Sequence, residues 1–396
     1  MKKITIVLIL SSLLIIAGCS GRSRQTLKIG FCGPLTGDSA NYGKMMTQAI
    51  KIAVVEKNST GGIGGKVPVE LIAEDDEGKV EKANAAIEKL AGIDKIYGLV
   101  GAVFSSCSLA IAPKAQANKI VMISPSSTHK DLTQMGNFIF RDVLSDRLQA
   151  MIFAKYAYEV MGLKNVAILH LKNDYSQGLA EDFLRQFEAD GGKVVAIESA
   201  MQGDKNFKTQ LTKIRGKQPD ALFLPDYIAE IAQILEQSKQ LGLSVNVLSA
   251  DGFSNPEIFD LAGNLTNGVV FSNSPDESSI TNNIRTDFEN VYEKTYGQKP
   301  DAFSLDSYDA AKIIINALEK VYAESSAKEK RTLMLNREKI RDYVAKTANY
   351  PGVSGTITFL SNGDALKNVG IFTVNNKQYK QVGIFKTENG KLIQVQ

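Results

Sequence analysis

Tryptophan is absent from this chain of 396 residues, and histidine and cysteine are scarce, at two and three. So few imidazoles and thiols leave little material for a metal site built on those ligands, and no CxxC, HExxH or EF-hand spacing occurs. An excess of one charge is missing too. Against 46 Lys and Arg stand 43 Asp and Glu, a net +3 that gives no broad positive field for a nucleic-acid partner. No G-x-S-x-G is present, so the hydrolase elbow is absent. Beyond Cys19 no run approaches 18 consecutive apolar residues, the length that would read as a membrane span. What remains is an ordinary globular mixture, 44% hydrophobic and 22% charged, long enough for two or three domains at about 100–200 residues each.

The first residues read as an address. Lys2 and Lys3 precede an apolar stretch, Ile4 to Ile16, broken only by Thr5, Ser11 and Ser12. That length suits a signal-peptide core and is short of the about 20 residues a span needs. Ile16-Ala17-Gly18-Cys19-Ser20 follows and resembles a bacterial lipobox, whose Cys is lipidated after cleavage. The expectation is a signal peptide over 1–18, a lipidated tether over 19–26 and a chain held to the membrane through Cys19. Cys32 and Cys107 remain, and they pair only if the fold brings their Cα atoms within about 7 Å.

Strand and helix patterns alternate thereafter. Leu27 to Phe31 reads as a strand stopped by Gly33-Pro34-Leu35-Thr36-Gly37, and Tyr42 to Lys57 as a helix. Strands over 67–75, 97–101 and 120–123 alternate with helices over 80–90 and 109–117. The pattern restarts with a helix over 147–161. Strands at 165–170, 194–198, 221–224 and 245–250 then alternate with helices at 178–190, 207–215 and 229–241. Such alternation implies right-handed βαβ units, here two doubly wound α/β units with mostly parallel sheets. Asn273 to Ile280 turns polar and reads as a linker. Helices over 283–296, 305–322 and 336–348 follow, then a strand-rich tail from Thr356 to Val395 whose Gly363, Asn375-Asn376 and Asn389-Gly390 suit antiparallel hairpins.

Gly61-Gly62-Ile63-Gly64-Gly65-Lys66 has a helix before it and a strand after, the reverse of a phosphate loop, and reads as a helix cap and turn. His170 ends a strand in an apolar setting, where a structural histidine is the default. Two hydroxyl clusters fall at the C-terminal ends of parallel strands, where open α/β sheets bind ligands: Gly101 to Ser108, and Ser124-Pro125-Ser126-Ser127-Thr128-His129. Each serves either as a helix cap or as a cradle for a small anion such as a carboxylate.

At these residues a resemblance becomes specific. Leu27 to Val395 resembles a type I periplasmic binding protein, in particular the leucine/isoleucine/valine-binding branch that serves ABC importers. The matching stretches are Gly33 to Gly37, Ala40-Asn41-Tyr42-Gly43, Asn58 to Ile63, Glu74-Asp75-Asp76, Ile123 to Thr128, Asn173 to Gly178 and Ala250-Asp251-Gly252. The resemblance implies two Rossmann-like lobes joined by three crossovers, 27–146 plus 277–353 forming lobe 1 and 147–276 plus 354–396 lobe 2. It also implies an amino-acid ligand between them, with Ser105 and Thr128 holding its carboxylate. Its ammonium is assigned to Asp251, the Ser126 carbonyl and the Thr128 hydroxyl, Ser127 lying in the same stretch. Tyr42, Val103, Phe104, Tyr175, Tyr227 and Phe303 surround its side chain. Phe104 stands where leucine-binding relatives have Cys, and Asp251 where they have Glu. The implied partners are a permease and its ATPase subunits, with the lipid anchor on the membrane, no nucleic acid, no cofactor and a monomeric chain without catalytic residues. A sensor that presents a small carboxylate or amide to a membrane receptor uses the same site. An enzyme needs a general acid or nucleophile with a positioned base, and only His129 lies near.

Overall fold

A computed structural model describes residues 25–276 and 278–395, the backbone alone at 278–282. The signal peptide, the lipobox and Cys19 lie outside the described residues. Short runs rich in Val, Ile and Leu, too brief for helices, become strands buried on both faces. β1 (Leu27–Gly33), β2 (Val69–Asp75), β3 (Gly98–Gly101), β4 (Val121–Ser124) and β5 (Ile139–Arg141) form a parallel sheet in the order β2-β1-β3-β4-β5. Parallel neighbours need crossovers, supplied by α1 (Ala40–Ser59), α2 (Val80–Glu88) and α3 (Ser105–Ala117). The glycine-rich stretch after α1 is the expected turn: Gly61, Gly62, Gly64 and Gly65 all have positive φ, and Ile63 pairs with Val67 across it.

α4 (Asp146–Lys155), capped by the Ser145 hydroxyl, leads into the second sheet. There β6 (Asn165–Leu171), β7 (Lys193–Ala200), β8 (Ala221–Leu224), β9 (Asn246–Ser249) and β10 (Val270–Asn273) run parallel. They alternate with α5 (Asp174–Ala189), α6 (Lys208–Arg215), α7 (Ile228–Gln240) and the short α8 (Ile258–Ala262). The chain then returns to the first sheet. α9 (Ser278–Tyr296) and α10 (Ala302–Glu324) lie on α1, and α10 also covers β3 and β4. α11 (Ala327–Thr332), α12 (Arg337–Ala345) and a small hairpin, β11 (Tyr350–Gly352) with β12 (Gly355–Ile357), complete this layer. Finally β13 (Val369–Asn375), β14 (Gln378–Glu388) and β15 (Lys391–Gln394) join the second sheet antiparallel, in the order β15-β14-β13-β10-β9-β8-β6-β7. The chain thus passes between the sheets three times, after β5, after β10 and after β12.

Several elements differ from the sequence reading. α3 starts at Ser105 and α5 at Asp174, four residues earlier than expected in each case, because their first turns are polar and show no apolar period. The polar stretch read as a linker over 273–280 is shorter: β10 ends at Asn273 and α9 begins at Ser278. The tail is antiparallel as expected, but its first residues belong to the β11–β12 hairpin beside α9. Cys32 and Cys107 are buried and unpaired. Burial and the neighbouring Asp76 push the Cys32 thiol up, and burial does the same for Cys107, so both are inert thiols.

Candidate functional site

The loops after β1, β3 and β4 face those after β6, β8 and β9, so the C-terminal ends of both sheets meet across one cleft. Nine of the expected residues line a single cavity there: Tyr42, Val103, Phe104, Ser105, Ser126, Tyr175, Tyr227, Asp251 and Phe303, joined by Gly252. It is small, about 20 Å³, when a single water needs roughly 10–15 Å³ in the same measure.

Five rings shut it. Tyr175 and Tyr227 stack with centroids 5.1 Å apart, and Phe104 lies 4.4 Å from Tyr227. Tyr42 meets Phe104, Tyr227 and Phe303 edge-on at 5.9, 6.3 and 5.8 Å. Edge and offset contacts of this kind contribute about 0.5–1.5 kcal/mol each beyond their buried area. Phe104 gains its position from Gly78, whose φ is +69° and where a Cβ would lie 2.7 Å from the Phe104 ring.

The one acidic wall is Asp251, held by a short turn after β9. Gln149 Nε2 and Tyr175 OH both donate to its Oδ1, at 2.6 and 2.9 Å. Burial lifts its carboxyl to about 6, while those two donors oppose the rise. Asp146, also fully buried, is pushed well above the usual carboxylate range by burial and by the Asp251 charge. Buried tyrosines beside them are also pushed up and stay neutral donors.

Opposite Asp251 stands the start of α3. Phe104 occupies its N-cap position and no side chain caps it, so the first-turn N–H groups beside Ser105 keep their capacity for an anion. Helix capping, one of the two readings of this cluster, is therefore not its role: Ser106 Oγ accepts from the Asp174 N–H across the cleft, and Ser108 Oγ donates to Ala102 O. In the second cluster only Ser126 reaches the cavity, its hydroxyl donating to Val103 O at 2.8 Å. Ser127 and Thr128 lie outside the cavity lining, behind the wall. Ser127 Oγ serves Val103 O, Ala102 O and Ser108, and the Thr128 hydroxyl lies beside Asp146, opposing the rise of its carboxyl. Both are fully buried. His129 lines no part of the cavity either. Its Nδ1 accepts from the Asp131 N–H, burial lowers its basicity, and its ring faces Gly178 of α5. It lacks the partner a general base needs.

Gln149 and Asp146 are absent from the sequence reading, and Gly252 enters it only within the matching stretch Ala250-Asp251-Gly252. The available signal was a pair of polar residues at i and i+3 on a helix whose other buried residues, Ala150, Ile152, Phe153 and Ala154, are apolar but for Lys155 at its end. Arg141, fully buried, ties this region to the third passage between sheets: its Nε donates to Asp364 at 2.6 Å and its Nη1 to the carbonyls of Thr128 and His129.

Contacts across the cleft combine Phe104 and Tyr42 against Tyr227 with a few polar pairs. Tyr42 OH donates to Gly252 O at 2.8 Å, Asn41 to Asn255 at 3.1 Å, and Lys205 pairs with Asp38 at 2.6 Å between two exposed side chains. At about 0.5–1.5 kcal/mol per hydrogen bond or ring contact and 0–1 for an exposed ion pair, parting the lobes costs several kcal/mol. The cavity can therefore open and close by hinge motion at the three passages.

The comparisons agree with this construction. The Leu/Ile/Val-binding protein BraC3 of Rhizobium johnstonii is 29% identical over 346 residues, spanning 85% of this chain and 88% of that protein. The crystal structure of a leucine binding protein, LivK, from Thermotoga maritima superposes with a TM-score of 0.81 at 31% identity, covering 91% of this chain and 98% of that one. The branched-chain amino acid transporter substrate binding protein LivJ of Streptococcus pneumoniae, in complex with isoleucine, gives 0.81 at 26% identity, with 93% and 100% covered. The sequence pattern of the family described as periplasmic binding protein matches residues 26–379. Because that match begins just before β1 and runs into β14, it takes in both sheets and every passage between them, and the chain belongs to the periplasmic binding protein family.

Proposed function

We propose that this chain captures a branched-chain or other aliphatic amino acid outside the cytoplasm and hands it to the permease of an ABC importer. The observation that carries the reading is the juxtaposition of Asp251 with the uncapped start of α3 in one ring-walled cavity. An ionised carboxylate receives the ammonium, while the Ser105 hydroxyl and the first-turn N–H groups of α3 receive the carboxylate. Tyr42, Val103, Phe104, Tyr175, Tyr227 and Phe303 enclose the aliphatic part. Ser126 shapes the wall through its bond to Val103, and Ser127 and Thr128 hold that wall and Asp146 from behind. Neither lobe alone offers both signs of charge, so the ligand stabilises the closed form by binding both. No bond is made or broken, and no cofactor is required. Similarity to proteins named for leucine, isoleucine and valine supports the ligand class.

The chain acts as a monomer, tethered by lipid on Cys19, with a permease and ATPase pair as partners. Calorimetric titration of the mature protein with the twenty amino acids tests the ligand class: an aliphatic amino acid binding at micromolar concentration or tighter is expected, and heat from none of them refutes the proposal. Replacing Cys19 with Ser is expected to release the protein from the membrane fraction.

A further inference from the structure

A second and larger cavity, about 230 Å³, lies where the chain passes from β10 to α9, and it is separate from the cleft. Its walls come from the second sheet and from the helix layer over the first. β10, β13 and β14 contribute Phe271, Phe372 and Tyr379, and the first turn of α10 contributes Asp301, Ala302, Leu305 and Asp306. Four buried polar atoms on this wall have no hydrogen-bond partner among the described residues: Asp301 Oδ2, Ser254 Oγ, Asp306 Oδ1 and Ser354 Oγ; Asp301 and Ser254 are 5% and 4% exposed. Native folds rarely leave such atoms alone.

The charge balance has one sign. Arg285, at the rim, is committed twice, Nη1 to Asp276 at 2.7 Å and Nε to Glu289 at 2.8 Å. Asp306 has Lys367 at 3.6 Å. Among the described residues no cation pairs with Asp301: its Oδ1 accepts the N–H and hydroxyl of Ser304, capping α10, and the Asp306 charge, of like sign, adds to the rise of its carboxyl. Burial lifts its carboxyl to about 6, so it is still ionised at neutral pH. Beside this charge stand the stacked pair Phe271–Phe372, centroids 5.3 Å apart, and Tyr379, 5.2 Å from Phe271. Aromatic faces favour cations and apolar stems alike.

We infer that this cavity is a binding site for a small organic amine, its ammonium on Asp301 Oδ2 and the Ser254 hydroxyl and its hydrocarbon against Phe271, Phe372 and Tyr379. The occupant lacks a carboxylate, because the single arginine of the wall is already paired with two acids. The site belongs to the hinge as well. Phe303, next but one to Asp301 in the first turn of α10, walls the amino-acid cleft, so an amine seated on Asp301 bears on the same turn that closes over the ligand.

The test is calorimetric titration of the full-length mature protein with n-butylamine, with sodium butyrate as the opposite-charge control, at pH 7.5. Butylamine is expected to bind and butyrate not. Asp301→Asn keeps the α10 cap through Oδ1 while removing the charge, and is expected to weaken butylamine at least tenfold; Ser254→Ala is expected to weaken it less. Asp251→Ala, which disables the cleft, is expected to leave the butylamine isotherm in place. The inference is overturned if butylamine gives no heat, if butyrate binds in its stead, if Asp301→Asn, folded by circular dichroism, binds butylamine as the parent does, or if Asp251→Ala abolishes binding and so moves it to the cleft.

Discussion

Replacing Asp251 with Asn should weaken ligand binding and strengthen the unliganded fold. The two side chains have nearly the same shape, and the Asn Oδ1 still accepts from Gln149 and Tyr175, whose bonds both go to that oxygen. What disappears is the charge. In the complex this leaves an ammonium buried against a neutral amide, and breaking a buried ion pair by removing one partner costs about 3–5 kcal/mol. At 1.4 kcal/mol per factor of ten, affinity falls by roughly 10²- to 10³-fold. Without ligand the balance reverses. The carboxyl titrates near 6 against an ordinary 3.8 because burial penalises its ion. At about 1.4 kcal/mol per pH unit, that penalty reaches roughly 3 kcal/mol at neutral pH. Removing it, less the cost of burying a new amide N–H₂, stabilises the unliganded protein by about 1–3 kcal/mol. With an unfolding entropy near 2.1 cal/mol/K per residue, Tm rises by roughly 1–4 °C. Calorimetric titration with leucine, isoleucine, valine and alanine reads the first effect and a ligand-free thermal scan the second. A variant that binds within fivefold of the parent refutes the assignment of the ammonium to Asp251, and a lowered Tm refutes the electrostatic account of its burial.

Acid should act on the same group. The ammonium needs Asp251 ionised, so affinity is expected to be level above about pH 6 and to fall up to tenfold per unit below it, as read by titration at a series of pH values. For the unliganded fold the sign is opposite: Asp251, Asp301 and Asp309 all bind protons more readily folded than unfolded, so their contribution to stability declines as pH rises from about 4 to 6, measurable by denaturant melts. Tyr42→Phe removes the hydrogen bond to Gly252 O and leaves the ring contacts, and is expected to weaken binding about 3- to 10-fold through loss of a closure contact worth roughly 0.5–1.5 kcal/mol. Small-angle scattering of this variant without ligand should show a larger radius of gyration than the parent. Phe104→Ala widens the cavity and removes contacts to Tyr227 and Tyr42. It should cost about 3–5 kcal/mol of stability in a chemical melt and shift the ligand preference toward bulkier side chains.

The parts of the fold that a linear reading reaches are those whose period survives in the chain. The strands from Leu27 to Leu224 are apolar runs bounded by turns, and their alternation with helices calls for parallel sheets before any coordinates are known. β5 and β10 escape because each carries polar side chains inward. Arg141 in β5 is fully buried, and Ser272 and Asn273 in β10 are buried too, so composition alone points them toward solvent. The same inversion hid Asp146 and Gln149, polar residues on the inner face of α4. The hydroxyl clusters were found for the right reason, their place at strand ends, but spacing cannot sort neighbours on an irregular segment. Ser126 faces the cavity while Ser127, one residue on, turns back to the carbonyls of Ala102 and Val103. That division has a physical logic. A cavity that must hold a zwitterion needs its donors at fixed angles, and fixed angles come from buried side chains packed behind them. Ser127, Thr128, Ser108 and Arg141 form that backing for the first lobe, as Gln149 and Tyr175 do for Asp251 in the second. Since the backing residues have the same polar chemistry as the residues they support, a sequence shows both as one cluster, and only burial tells which side chains hold and which are held.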